Sequence, residues 1–166
     1  MSKIAVVQTP PVLLNRQRTI EKAVALVGEV AVEGAELVIF PETFIPGYPI
    51  WMWRLRPGGD MSLTNDLYGR LFENAVDLEA DDLAPLRAAA KEHSVTVVCG
   101  MNEREGAASR GTLFNTVVVI DADGEMVNRH RKLMPTNPER MVHGFGDASG
   151  LRVIDTPVGR IGTLLC

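Results

Sequence analysis

Lys3-Ile4-Ala5-Val6-Val7-Gln8-Thr9 opens the chain, Glu36-Leu37-Val38-Ile39-Phe40 follows a helical stretch, and the spacing between them decides the fold. Ile4-Ala5-Val6-Val7 is a short apolar run stopped by Pro10-Pro11, which predicts a buried strand. Asn15 can cap a helix, because its side-chain oxygen accepts an N–H of the first turn. Ile20, Val24, Val27, Val30 and Ala31 recur at helical spacing to about residue 33, and Gly34 marks the end. Val38 and Ile39 are β-branched and predict a second short strand over 36–40. Strand, helix and strand in that order imply a parallel pair joined by a right-handed crossover.

Downstream, Pro41 to Leu63 is irregular, with four prolines and three glycines. Long loops inside compact domains are usually functional or disordered, and Phe44, Tyr48, Trp51 and Trp53 speak against disorder. Helices are predicted over 64–76 and 81–93, the latter capped by Asp81 or Asp82, followed by a third strand over 95–100. A fourth strand spans 112–121, turns at Asp121-Ala122-Asp123-Gly124, and returns over 125–130 as a hairpin. Leu133 to Gly150 is irregular again. Segments 151–156 and 160–166 form a last hairpin around Pro157-Val158-Gly159. The order implies an α/β fold, a mixed sheet with helices on one face.

Composition narrows the function classes. The chain has 166 residues, 46% hydrophobic and 23% charged, which suits a single soluble globular domain. A net charge of −4 with interspersed signs argues against nucleic acid or an anionic membrane as partner. The opening residues lack a signal-peptide apolar region, and no run reaches the roughly 18 residues of a membrane span. Two cysteines, Cys99 and Cys166, make no disulfide framework and fit a reducing cytoplasm. No zinc spacing, phosphate loop or Gly-x-Ser-x-Gly occurs, so no metal or organic cofactor is implied.

Four residues carry candidate chemistry. Glu42 directly follows a strand, where open α/β sheets bind ligands, and is a candidate general base; a solvated loop glutamate is the competing reading. Lys132 ends a strand in a basic run and could stabilise an anion or lower a thiol pKa, or could be a surface charge. Glu139, seven residues on, could pair with Lys132 or face a substrate. Cys166 ends the last apolar segment, where strand alternation puts Gly162, Leu164 and Cys166 on one face. Cys99, between Val98 and Gly100, suits a small buried hydrophobe.

Together these segments resemble the nitrilase (carbon–nitrogen hydrolase) superfamily along the whole chain. Ile4-Ala5-Val6-Val7-Gln8 is similar to its first strand. Phe40-Pro41-Glu42-Thr43-Phe44 with Ile45-Pro46-Gly47-Tyr48-Pro49 resembles the segment of its base. His130-Arg131-Lys132-Leu133-Met134-Pro135-Thr136 resembles the lysine segment, and 155–166 the approach to the nucleophile. The loop after Glu42, Lys132 to Thr136, and Gly144 to Gly150 are most similar to the true nitrilase branch. Two positions depart from it: His143, where many relatives carry an aromatic residue, and Ala148, where glycine is common.

The resemblance implies part of an α-β-β-α sandwich and hydrolysis of an organic nitrile to carboxylic acid and ammonia. Cys166 is then the nucleophile, Glu42 the base, Lys132 the stabiliser of charge on the substrate nitrogen, and Glu139 the group that orients Lys132 or the substrate. Tyr48, Trp53 and His143 become candidate substrate contacts. The expected partners are a small nitrile and further copies of the chain, as a dimer or larger spiral assembly. Aliphatic amide hydrolysis and cyanide hydration on the same scaffold are the alternatives. In this family a second half of the sandwich follows the cysteine, so residues 1–166 are expected to be the N-terminal portion of a single domain, catalytically incomplete by themselves.

Overall fold

The computed structural model describes residues 2–106, 109 and 111–166. β1 (Ile4–Val6), α1 (Arg16–Val32) and β2 (Leu37–Ile39) form the βαβ unit that the spacing predicts. The two strands pair in parallel, with Ile4 opposite Leu37 and Val6 opposite Ile39. Asn15 caps α1, its side-chain oxygen accepting the Arg18 N–H at 3.0 Å, and the helix stops before Gly34.

β3 (Thr96–Arg104) adds to β2 in parallel, and β4 (Leu113–Ile120) and β5 (Met126–Arg131) follow antiparallel. The result is a mixed five-stranded sheet in sequential order, β1-β2-β3-β4-β5. Side-chain alternation sorts its two faces. Val38, Val97, Cys99, Met101, Val118 and Ile120 face α1 and α3 (Ala84–His93), which pack against each other on one side. Leu37, Val98, Val117 and Val119 face the other way, onto Ile154, Val158, Ile161 and Leu165. Those residues belong to a separate hairpin, β6 (Val153–Thr156) and β7 (Gly159–Gly162). Each fully buried Val, Leu or Ile contributes about 1.5–3 kcal/mol, so burial on both faces makes β3 and β4 the anchor of the molecule.

Several boundaries differ from the sequence expectation. β1 is not a buried strand: Ala5 and Val7 pack toward the helices, but Ile4 is 53% and Val6 66% exposed. Both lie on the hairpin side of the sheet, beyond the strands that the hairpin covers. β3 runs past Gly100 to Arg104 because Asn102 and Glu103 find partners inside the fold, which their polarity conceals. α2 is Met61–Glu73, shifted toward the N-terminus from 64–76. Asp82 does not cap α3; its carboxylate instead takes the Asp77 N–H at 2.7 Å and pairs with Arg16 at 2.9 Å. β7 ends at Gly162, since 163–166 pair with no strand among the described residues.

Candidate active site

The site lies on the hairpin side of the sheet, at the carboxyl ends of β2 and β5. β2 delivers Phe40, whose N–H binds Val98 O at 2.8 Å, and the chain then turns across β3 with Glu42 at the crossing. Ile45 N–H donates to Gly100 O at 3.2 Å, and Ile45 O accepts the Asn102 N–H at 2.7 Å. The crossing is tight enough that a Cβ on Gly100 would overlap Pro41 O and the Cα of Glu42. Only glycine admits Glu42 this close to the strand.

Lys132 follows β5 directly. Its N–H continues the ladder to Asn115 O at 2.8 Å, and its carbonyl accepts Gly146 N–H at 2.9 Å. Along β5 the faces alternate. Arg129 and Arg131 turn to the helix side and clamp buried Glu103, at 3.0 and 3.1 Å through their Nε atoms. Lys132 therefore turns to the hairpin side with Asn128, whose amide reaches Gly150 O at 3.1 Å and Thr163 Oγ1 at 3.4 Å. Glu139 comes from a short 3-10 helix, Asn137–Met141, where it completes a capping box with Thr136; its Oε2 accepts the Thr136 N–H at 2.7 Å.

These elements bring one ammonium between two carboxylates. Lys132 Nζ donates to Glu139 Oε2 at 2.7 Å and to Glu42 Oε1 at 3.2 Å. Glu139 Oε1 accepts from Tyr48 Oη at 2.7 Å, and Tyr48 Oη accepts from Trp53 Nε1 at 3.0 Å. Lys132 is 2% exposed and Glu139 3%. Burial pulls the Lys132 pKa down, but the hydrogen bonds and charges of Glu139 and Glu42 outweigh it and hold the ammonium above its ordinary value. For Glu139, burial pushes up, and Lys132, the Thr136 N–H and Tyr48 together prevail and hold the carboxyl below the usual range. Tyr48 is pushed up to about 12, chiefly by burial, and stays a phenol.

Cys166 is exposed and stands across a cleft of about 460 Å³ that Glu42 also lines, with Gly100, Val117 and Leu165 in its wall. It makes no hydrogen bond to Glu42 or Lys132 among the described residues. Five of the predicted residues, Glu42, Lys132, Glu139, Tyr48 and Trp53, thus form one network, and Cys166 shares its cleft. His143 is different: it is buried, and its Nε2 binds Asn102 Oδ1 at 2.9 Å. Asn102 spends its amide protons on Ile45 O and Gly47 O, so its Oδ1 accepts and His143 carries the proton on Nε2. Burial drives the His143 pKa down to about 4. His143 supports the Glu42–Tyr48 loop from beneath rather than lining the cleft.

Two residues that hydrogen-bond these groups escape the sequence reading. Asn102 and Asn115 are cross-strand partners on β3 and β4, and Asn115 Nδ2 donates to Glu42 Oε1 at 2.5 Å. The signal is a buried amide inside an apolar strand, Leu113-Phe114-Asn115-Thr116-Val117, which must find a hydrogen-bond partner.

A sequence profile of the carbon-nitrogen hydrolase family matches residues 3–166. The chain belongs to the carbon-nitrogen hydrolase family. It is 42% identical over 164 residues to an aliphatic nitrilase of Rhodococcus rhodochrous, covering 99% of this chain and 43% of that protein. An arylacetonitrilase of Aspergillus niger is 38% identical over 167 residues, with 99% and 46% covered. The chain therefore spans a little under half the length of these relatives. The fold agrees with a carbon-nitrogen hydrolase of Helicobacter pylori G27, with a TM-score of 0.69 at 24% identity, covering 99% of this chain and 52% of that one. The chain holds the buried Lys132 ammonium between Glu42 and buried Glu139, and Glu42 shares one cleft with the exposed Cys166 thiol.

Proposed function

We propose that the protein is a nitrilase, converting an organic nitrile and two waters to a carboxylic acid and ammonia through a covalent intermediate on Cys166. One observation carries the reading: a buried ammonium held between Glu42 and Glu139, beside a cleft that Glu42 shares with the only exposed cysteine of the sequence. The identity to two nitrile-hydrolysing relatives supports it.

The Cys166 sulfur attacks the nitrile carbon, and Glu42 takes the thiol proton. The C–N π pair moves to nitrogen, which receives that proton, leaving a thioimidate. Glu42 then deprotonates a water that adds to the same carbon; the nitrogen collects protons and leaves as ammonia, and a thioester remains. A second water releases the acid and restores the thiol. Lys132 acts as fixed positive charge beside the developing nitrogen anion, because its carboxylate partners hold its proton on. Glu139 positions Lys132, and Tyr48 and Trp53 border the substrate. A homo-oligomer in the cytoplasm belongs to the same proposal. Cys99 is buried and unpaired, Cys166 is exposed and unpaired, and no helix among the described residues is long and apolar enough to cross a membrane.

Nitriles, the matching amides and cyanide, assayed side by side, test the reaction class. Acid and ammonia from nitriles are expected. Turnover of amides alone would replace the proposal with amide hydrolysis, and hydration of cyanide alone with a hydratase.

A further inference from the structure

Glu42 meets two donors, and both choose the same oxygen. Asn115 Nδ2 lies 2.5 Å and Lys132 Nζ 3.2 Å from Oε1. Oε2 accepts nothing from the described residues. Asn115 is 1% exposed, sits mid-strand on β4, and its own carbonyl fixes the Lys132 N–H at 2.8 Å. One residue thus ties the base and the ammonium to the same point of the sheet. Its amide orientation follows from the chemistry, since a carboxylate can only accept. Its Oδ1 has no partner among the described residues. An asparagine kept for the fold would satisfy its acceptor; this one spends its donor on Glu42.

We infer that Asn115 is the positioning residue of the base: with Lys132 it commits Oε1 of Glu42 to the protein and leaves Oε2 as the oxygen that takes and returns the proton. This rests on the reading of Glu42 as general base. Without those donors the carboxylate is free to turn its plane, and neither oxygen is held toward the thiol. The charged and titratable groups that share the network or the cleft of Glu42 are Lys132, Glu139, Tyr48 and Cys166, and none of them replaces the Asn115 amide.

The test compares Asn115→Asp, which keeps the shape and removes the donor, with Asn115→Ser and Glu42→Gln, by kcat and KM on a nitrile. Both Asn115 variants should lose about 10- to 100-fold in kcat with little change in KM, the scale of one hydrogen bond to a charged group. An unchanged kcat, a loss confined to KM, or failure of both variants to fold in a thermal melt would overturn the inference and assign Asn115 to the fold. Nitrile turnover surviving in Glu42→Gln would instead remove the reading of Glu42 as base.

Discussion

Lys132 carries a charge almost wholly out of water, and its stability comes from the carboxylates that flank it. Removing one partner of a buried pair costs more than removing both, because the survivor keeps its charge without compensation. Lys132→Met leaves Glu139 buried and unpaired and should lower stability by about 3–5 kcal/mol in urea unfolding, with loss of turnover. The double change Lys132→Met with Glu139→Gln should recover much of the stability and none of the activity. Glu42 stands out in the sequence only with its segment Phe40-Pro41-Glu42-Thr43-Phe44, because alone a carboxylate after a strand also reads as a solvated loop glutamate. Asn115 is not, because the distance that gives it meaning runs from β4 to a residue 73 positions away. His143 reads as a substrate contact from its loop position, whereas burial makes it a neutral prop beneath the Glu42–Tyr48 loop.

At the scale of elements, the crossing of the Glu42 loop over β3 depends on one missing side chain. Gly100→Ala pushes a Cβ into backbone, not into a flexible side chain. It should destabilise by about 1–3 kcal/mol and cut kcat further than that loss of folded protein explains, as measured by melts and active-site titration together. Asn15→Ala, which removes a cap whose side chain bonds only its own helix, should cost about 1 kcal/mol and leave kcat unchanged. The contrast separates elements that build the site from those that support the fold. α1 and β2 are legible because capping and period match the sequence locally. The start of α3 is not, because Asp82 answers Asp77 and Arg16 instead of its own helix. The tail of β3 reads as loop because its polar residues are paid for by Arg129, Arg131 and the Ile45–Gly47 carbonyls, all distant in sequence.

For the whole molecule, pH acts through the buried groups. His143 falls from an ordinary value near 6.5 to about 4 in the fold, so between those values the unfolded chain binds a proton that the folded one refuses. Stability from this group is complete above the upper value and is lost as pH falls through the window, by roughly 3 kcal/mol. Glu139, held below its ordinary value, adds a loss of the same sign at still lower pH. Urea midpoints should fall as pH falls through the His143 window, and His143→Gln should flatten that slope; a flat wild-type profile would contradict the burial argument. The mixed sheet and its helix layer follow from pattern, whereas the open flank at β1 does not, since an apolar strand reads as buried whichever layer covers it.

Intact-mass spectrometry of the protein quenched during turnover detects the covalent intermediate on Cys166 itself. With a slow nitrile, the expected adduct is heavier by the full mass of the nitrile, as a thioimidate requires, maps to Cys166 and is absent from Cys166→Ala, which turns over nothing. Turnover persisting in Cys166→Ala, or an adduct on any other residue, would contradict it.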